Sequence, residues 1–96
     1  MSKRAQLKFR LYVAADAPNS TLAVANLTAL CRVHLPDRYE IEVVDVFREP
    51  KRALTDHILM TPTLIKLAPT PIRRIVGTLS RTENVLLVLG LEAVAA

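Results

Sequence analysis

The sequence predicts an α/β fold, a mixed sheet flanked by helices, with a strand–helix–strand unit as its N-terminal half. Three observations carry this. Leu7, Phe9, Leu11 and Val13 alternate with Lys8, Arg10 and Tyr12, the period of two expected of a strand with one buried face. Leu27, Leu30, Cys31 and His34 then recur at helical spacing. Tyr39, Ile41 and Val43 alternate with Glu40 and Glu42 and run into Val44-Asp45-Val46-Phe47, a second strand. Strand, helix and strand in this order make a βαβ unit with a right-handed crossover, so the two strands are parallel neighbours or near neighbours.

Each boundary has its own signal. Asp16-Ala17-Pro18-Asn19-Ser20 breaks the first alternation, and Asn19 or Ser20 is the expected N-cap of the helix. Pro36 and Asp37 end that helix. Pro50 suits the first position of a short helix, to which Ala53, Leu54, His57 and Ile58 give an apolar side. Met60 to Leu67 reads as a strand entered through Pro62. Ala68-Pro69-Thr70-Pro71 is a turn, because no central strand can hold those prolines. Ile72 to Val76 is a further strand, ended by Gly77. Ser80-Arg81-Thr82-Glu83 matches a capping box and predicts a helix from about Arg81. Val85 to Leu89, however, serves equally as a buried strand, and periodicity alone does not assign it.

The 96 residues allow one domain, 1–96, with an aliphatic core, since 51% of the chain is hydrophobic and only 4% aromatic. A formal charge of +4 is too mild to mark a nucleic-acid binder, but it favours encounter with an acidic partner surface. The single cysteine, Cys31, can form neither an internal disulfide nor a CxxC pair, which points to a reducing, cytoplasmic setting. No apolar run approaches the ~20 residues of a membrane span.

The order β-α-β-α-β-β-α resembles the thioredoxin fold, in which a cis proline stands where Thr61-Pro62-Thr63 stands here. Redox chemistry is not expected with it. A low-pKa thiolate belongs at the start of the first helix, and Ala15 to Ser20 holds no cysteine. Cys31, spaced with Leu27 and Leu30, reads as a small buried hydrophobe. His34 and His57 lack the companions that a metal site or a nucleophilic triad needs. The expectation is no enzyme, no metal and no cofactor.

Four ordered motifs resemble the KaiB family. Leu11-Tyr12-Val13-Ala14 with Pro18-Asn19-Ser20 is similar to LYVAGxTPNS, and Val44-Asp45-Val46 with Pro50 to VIDVxxxP. Ile58 to Leu64 is similar to ILATPTL, and Pro71 to Ser80 to PVRRIIGDLS. The resemblance runs from about Leu7 to Leu91. It implies a thioredoxin-like KaiB fold and a non-catalytic protein that docks on the N-terminal ring of a KaiC-like ATPase. In systems that have them, KaiA or a histidine kinase is a further partner. It also implies a metamorphic C-terminal half, self-associated as a dimer or tetramer in one state and a thioredoxin-like monomer in the other.

The chain departs from the pattern at Leu87-Val88-Leu89-Gly90, where the family has I-G-L-D, and at Glu42, where a lysine is common. Those departures point to a divergent paralog, or to a family member from a bacterium lacking KaiA, of the kind the resemblance ties to stress adaptation or simple timers. Partner contact is expected at Lys66, Arg73, Arg74 and Tyr12. Fold switching is expected to involve Leu87, Val88, Gly90 and the prolines Pro62, Pro69 and Pro71. Gly90→Ala is expected to raise helix propensity and favour the monomer. Two other readings stand behind this one: a thioredoxin-like, redox-derived protein without CxxC, disfavoured by the cysteine count, and a basic nucleic-acid binder, disfavoured by sparse aromatics and scattered charge.

Overall fold

Seven elements follow the expected order: β1 (Leu7–Val13), α1 (Pro18–His34), β2 (Tyr39–Asp45), α2 (Pro50–Thr55), β3 (Thr63–Ala68), β4 (Arg73–Val76) and α3 (Thr82–Val88). The computed structural model describes residues 6–91; 1–5 and 92–96, and with them the ends of the expected 1–96 domain, lie outside it. The sheet order is β2-β1-β3-β4. β1 pairs parallel with β2, and β3 pairs antiparallel with both β1 and β4. The βαβ half and the mixed sheet are thus both present.

Helices cover both faces. On one, Leu7, Phe9, Leu11 and Val13 of β1 pack with Ala23, Leu27, Leu30 and Cys31 of α1 and with Val85, Leu86 and Leu89 at α3. Each fully buried leucine contributes about 1.5–3 kcal/mol. On the other face, the short α2 covers Tyr12, Val44 and Ile65 through Ala53. This second cover corrects the one-sided reading of the strands. Tyr12, on the expected polar face, is fully buried, whereas Val43, on the expected apolar face, is 47% exposed. Leu54, expected on the buried side of α2, is also exposed.

The helix starts differ from expectation. α1 begins at Pro18 with Ala17 as its cap residue. Ser20 turns back instead, its Oγ accepting the Ala14 N–H at 3.0 Å. α3 begins at Thr82 and has no side-chain cap. Ser80 Oγ pairs with Thr78 Oγ1, so the capping box does not form. The ambiguous Val85–Leu89 segment is helical up to Val88, with Leu89 as its C-cap residue.

Gly90 is not inside a helix but ends one. Its φ is +74°, in the left-handed region. The Gly90 N–H donates to the Leu87 carbonyl and the Leu91 N–H to that of Leu86, the paired bonds of a Schellman cap. The expectation for Gly90→Ala is therefore reversed. A Cβ at Gly90 meets no atom within 4 Å, so the cost is conformational. Alanine in this backbone geometry should destabilise the protein by about 1 kcal/mol and loosen the end of α3. A urea midpoint and α3 amide signals unchanged from wild type would contradict this.

Candidate interaction surface

The sequence-derived residues divide into two groups. Arg73 and Arg74 lie on the edge strand β4, both exposed. Their partners in register, Lys66 and Ile65, are adjacent in β3, so the two arginines point to opposite faces. Arg74 reaches towards the His57 carbonyl at 3.5 Å. Ile72 and Val76 beside the pair are exposed, which gives the edge an apolar component. Next to it, a cavity of about 280 Å³ opens between β4 and α3, lined by Ile75, Val76, Leu79, Val85 and Val88 among others. Leu79 sits there at φ +63°, a backbone conformation unusual for a branched residue.

Tyr12 and Lys66 form the second group and are buried in this conformation. Neither offers a surface to a partner from here. Lys66 donates to the Leu89 carbonyl at 3.0 Å. The Tyr12 hydroxyl donates to Asp56 Oδ2 and lies 3.1 Å from the Arg52 carbonyl. Among the expected switch residues, Leu87 and Val88 are exposed on α3. The peptide bonds preceding Pro62, Pro69 and Pro71 are all cis.

Tyr12 belongs to an ionic network that the sequence reading missed. Arg10 bonds Glu42 and Asp56, each at 2.9 Å. Arg52 bonds Glu42 at 2.8 Å and Glu49 at 3.3 Å. The Tyr12 hydroxyl, and after it the Arg10 guanidinium, hold the Asp56 carboxyl below its usual range. Arg10, then Arg52, does the same for Glu42. Burial and the Asp56 bond push the Tyr12 hydroxyl up. One signal for this network was present. Lys8 and Arg10 alternate on one strand, Glu40 and Glu42 on the next, and the parallel register sets each cation opposite a carboxylate. Nothing local in the sequence announced that Arg52 and Asp56 would close the network from α2.

Exposed apolar residues lie on and beside α2 in the chain: Leu54 within it, and Phe47, Leu59 and Met60 outside it. Isolated exposed apolar residues are ordinary, but four of them here accompany exposed Arg48 and Lys51. Cys31 is buried in the core, and desolvation pushes its thiol up to about 12, which leaves negligible thiolate near neutrality. Among the described residues no three His, Cys, Asp or Glu side chains are grouped to hold a metal ion, and no helix is long and apolar enough to cross a membrane.

Comparison with known structures agrees on the fold. The N-terminal domain of Synechococcus elongatus SasA superposes with a TM-score of 0.71 at 20% identity, over 99% of this chain and 94% of that one. Mitochondrial thioredoxin 3 from Saccharomyces cerevisiae gives 0.71 at 17% identity, over 93% and 82%. The fold is thioredoxin-like. Sequence comparison is more specific. The circadian clock protein KaiB3 of Synechocystis sp. is 43% identical over 93% of this chain and 85% of its own length. The circadian clock oscillator protein KaiB of Synechococcus elongatus is 44% identical over 95% and 89%. The KaiB domain model matches residues 10–91. With that match over most of its length, and with relatives this similar, the chain belongs to the KaiB family, whose named relatives here are circadian clock proteins.

Proposed function

We propose that this chain is a non-enzymatic regulator that docks on the ring of a KaiC-like ATPase and changes its state in a clock, timer or stress response. The observation that carries the reading is the exposed basic pair Arg73–Arg74 on a free sheet edge, with exposed Val76 on the Arg74 face of the strand and exposed Ile72 preceding the pair. Charge of one sign beside apolar surface suits an acidic-rimmed partner, with the charge steering encounter and the apolar contact holding the complex. Phe47, Leu54, Leu59 and Met60 add four more exposed apolar side chains in and near α2 along the chain. Tyr12, packed against Ala53 of α2 and bonded to Asp56, is buried and is not a contact in its own right. Self-association without a partner, and rearrangement of the segment carrying Leu87, Val88 and Gly90, belong to the same proposal as its means of control.

The test is direct binding. The purified protein is mixed with the KaiC-like ATPase of the same cell, loaded in turn with ATP and with ADP, and run by size exclusion with ATPase turnover measured in parallel. A co-eluting complex with altered turnover is expected. No complex in either nucleotide state would remove the reading.

A further inference from the structure

Lys66 is the one buried cation among the described residues, only 4% exposed. It follows Leu64 and Ile65 in β3, and by alternation its side chain shares the face of Leu64, towards α1 and α3. In register beside it stand Phe9 on β1 and Arg73 on β4. An ammonium carries three N–H donors. Among the described residues this one has a single acceptor, the Leu89 carbonyl at 3.0 Å, and forms no ion pair. Leu89 is the C-cap residue of α3, where the helix gathers partial negative charge. The Schellman bonds already occupy the Leu86 and Leu87 carbonyls. Lys66 therefore takes the terminal carbonyl that the glycine cap leaves over.

We propose that Lys66 is a charge-dependent clamp: its ammonium holds the C-terminal carbonyl of α3 to the sheet, and loss of that charge frees the last turn of the helix while the α1-side core stays intact. The clamp fixes the α3 wall of the cavity shared with β4. It stands independently of the docking proposal. A bond from a charged donor is roughly twice as strong as a neutral one, so deprotonation weakens the hold even though an amine still donates. Burial, and then the Arg73 charge, push the Lys66 ammonium below its ordinary value of 10.5. Among the described residues Arg73 from β4 is the charged group that faces it; β1 offers Phe9 and α3 the Leu89 carbonyl. Because the folded value lies below the unfolded one, the folded chain loses this proton first. The contribution of Lys66 to global stability therefore rises with pH up to about 10.5, while the clamp weakens over the same range. Local order and global stability move in opposite directions, which space-filling by the lysine stem would not produce.

Two measurements decide it. In Lys66→Met, amide exchange protection at Leu89, Gly90 and Leu91 should fall at least tenfold relative to Leu11 and Leu64, with no loss in urea midpoint. In the wild type, an alkaline NMR titration should move the Lys66 side-chain signals and the Leu91 amide together, with one midpoint below 10.5. Unchanged relative protection, or protection lost evenly across α3 and the strands, overturns the clamp. So does a Lys66 titration that leaves the α3 signals still. If the methionine variant does not fold, the wild-type titration decides alone.

Discussion

Asp56→Ala should destabilise the protein by about 2–3 kcal/mol, because it takes the carboxylate acceptor from the buried Tyr12 hydroxyl and from the Arg10 guanidinium at once. Asp56 accepts from the Tyr12 hydroxyl and from Arg10, and its side chain is only 23% exposed. With the carboxylate gone, the buried Tyr12 hydroxyl retains the Arg52 carbonyl, and Arg10 retains Glu42. In a domain of this size the loss amounts to roughly 10–20 °C in melting temperature. Tyr12→Phe removes one bond and keeps the packed ring, so about 1 kcal/mol is expected from it. The pH dependence has a defined sign. Asp56 and Glu42 have folded values below their unfolded ones, so their stabilisation is complete above the ordinary carboxylate range and is lost as the pH falls through the folded values. Wild type should therefore lose stability on acidification below about pH 4, and Asp56→Ala should show a shallower fall. Equal acid slopes in thermal scans of the two proteins would show that the network carries no such linkage.

The Arg73→Glu, Arg74→Glu double variant should weaken binding to the KaiC-like ring by tenfold or more at low salt. Both side chains are exposed on an edge strand, so the chain should still fold, although Arg73→Glu also reverses the charge that faces Lys66. The formal net charge falls from +4 to 0, since each reversal removes two units. Steering of an acidic partner should fail first, as a slower association rate, and the gap from wild type should narrow as salt rises and the screening length drops below about 10 Å. Salt-series binding kinetics separate this from a contact effect. A double variant that binds like wild type at low ionic strength would take the β4 pair out of the interface.

Much of this architecture was legible because its signals are local. The alternation at Leu7–Val13, the prolines around Thr70 and the helical spacing of Leu27, Leu30 and Cys31 each depend on near neighbours, and the structure keeps all three. What the sequence hid depends on elements far along the chain. Tyr12 sits on what reads as the solvent face of its strand until α2, forty residues on, covers it. Lys66 reads as a surface lysine until α3 folds across β3 and presents a carbonyl. The cap residues failed for a different reason. Ser20 and Ser80 found other partners in Ala14 and Thr78, and a serine hydroxyl takes whichever local bond the backbone path allows. Gly90 was legible as a glycine but not as a cap, because the extent of α3 decides which role it has.

The outer edge of β4 bears on how the protein behaves when crowded. A bare edge exposes unpaired N–H and C=O groups and invites another copy to extend the sheet. Here, two copies meeting β4 to β4 would bring four guanidiniums together along strands of four residues each. Such strands are too short and too strongly charged to template a growing ribbon. Sheet extension by identical molecules is thereby discouraged, and the same basic edge stays open to a surface of opposite sign. On the docking reading proposed above, the two side chains that resist aggregation are also the two that select the partner.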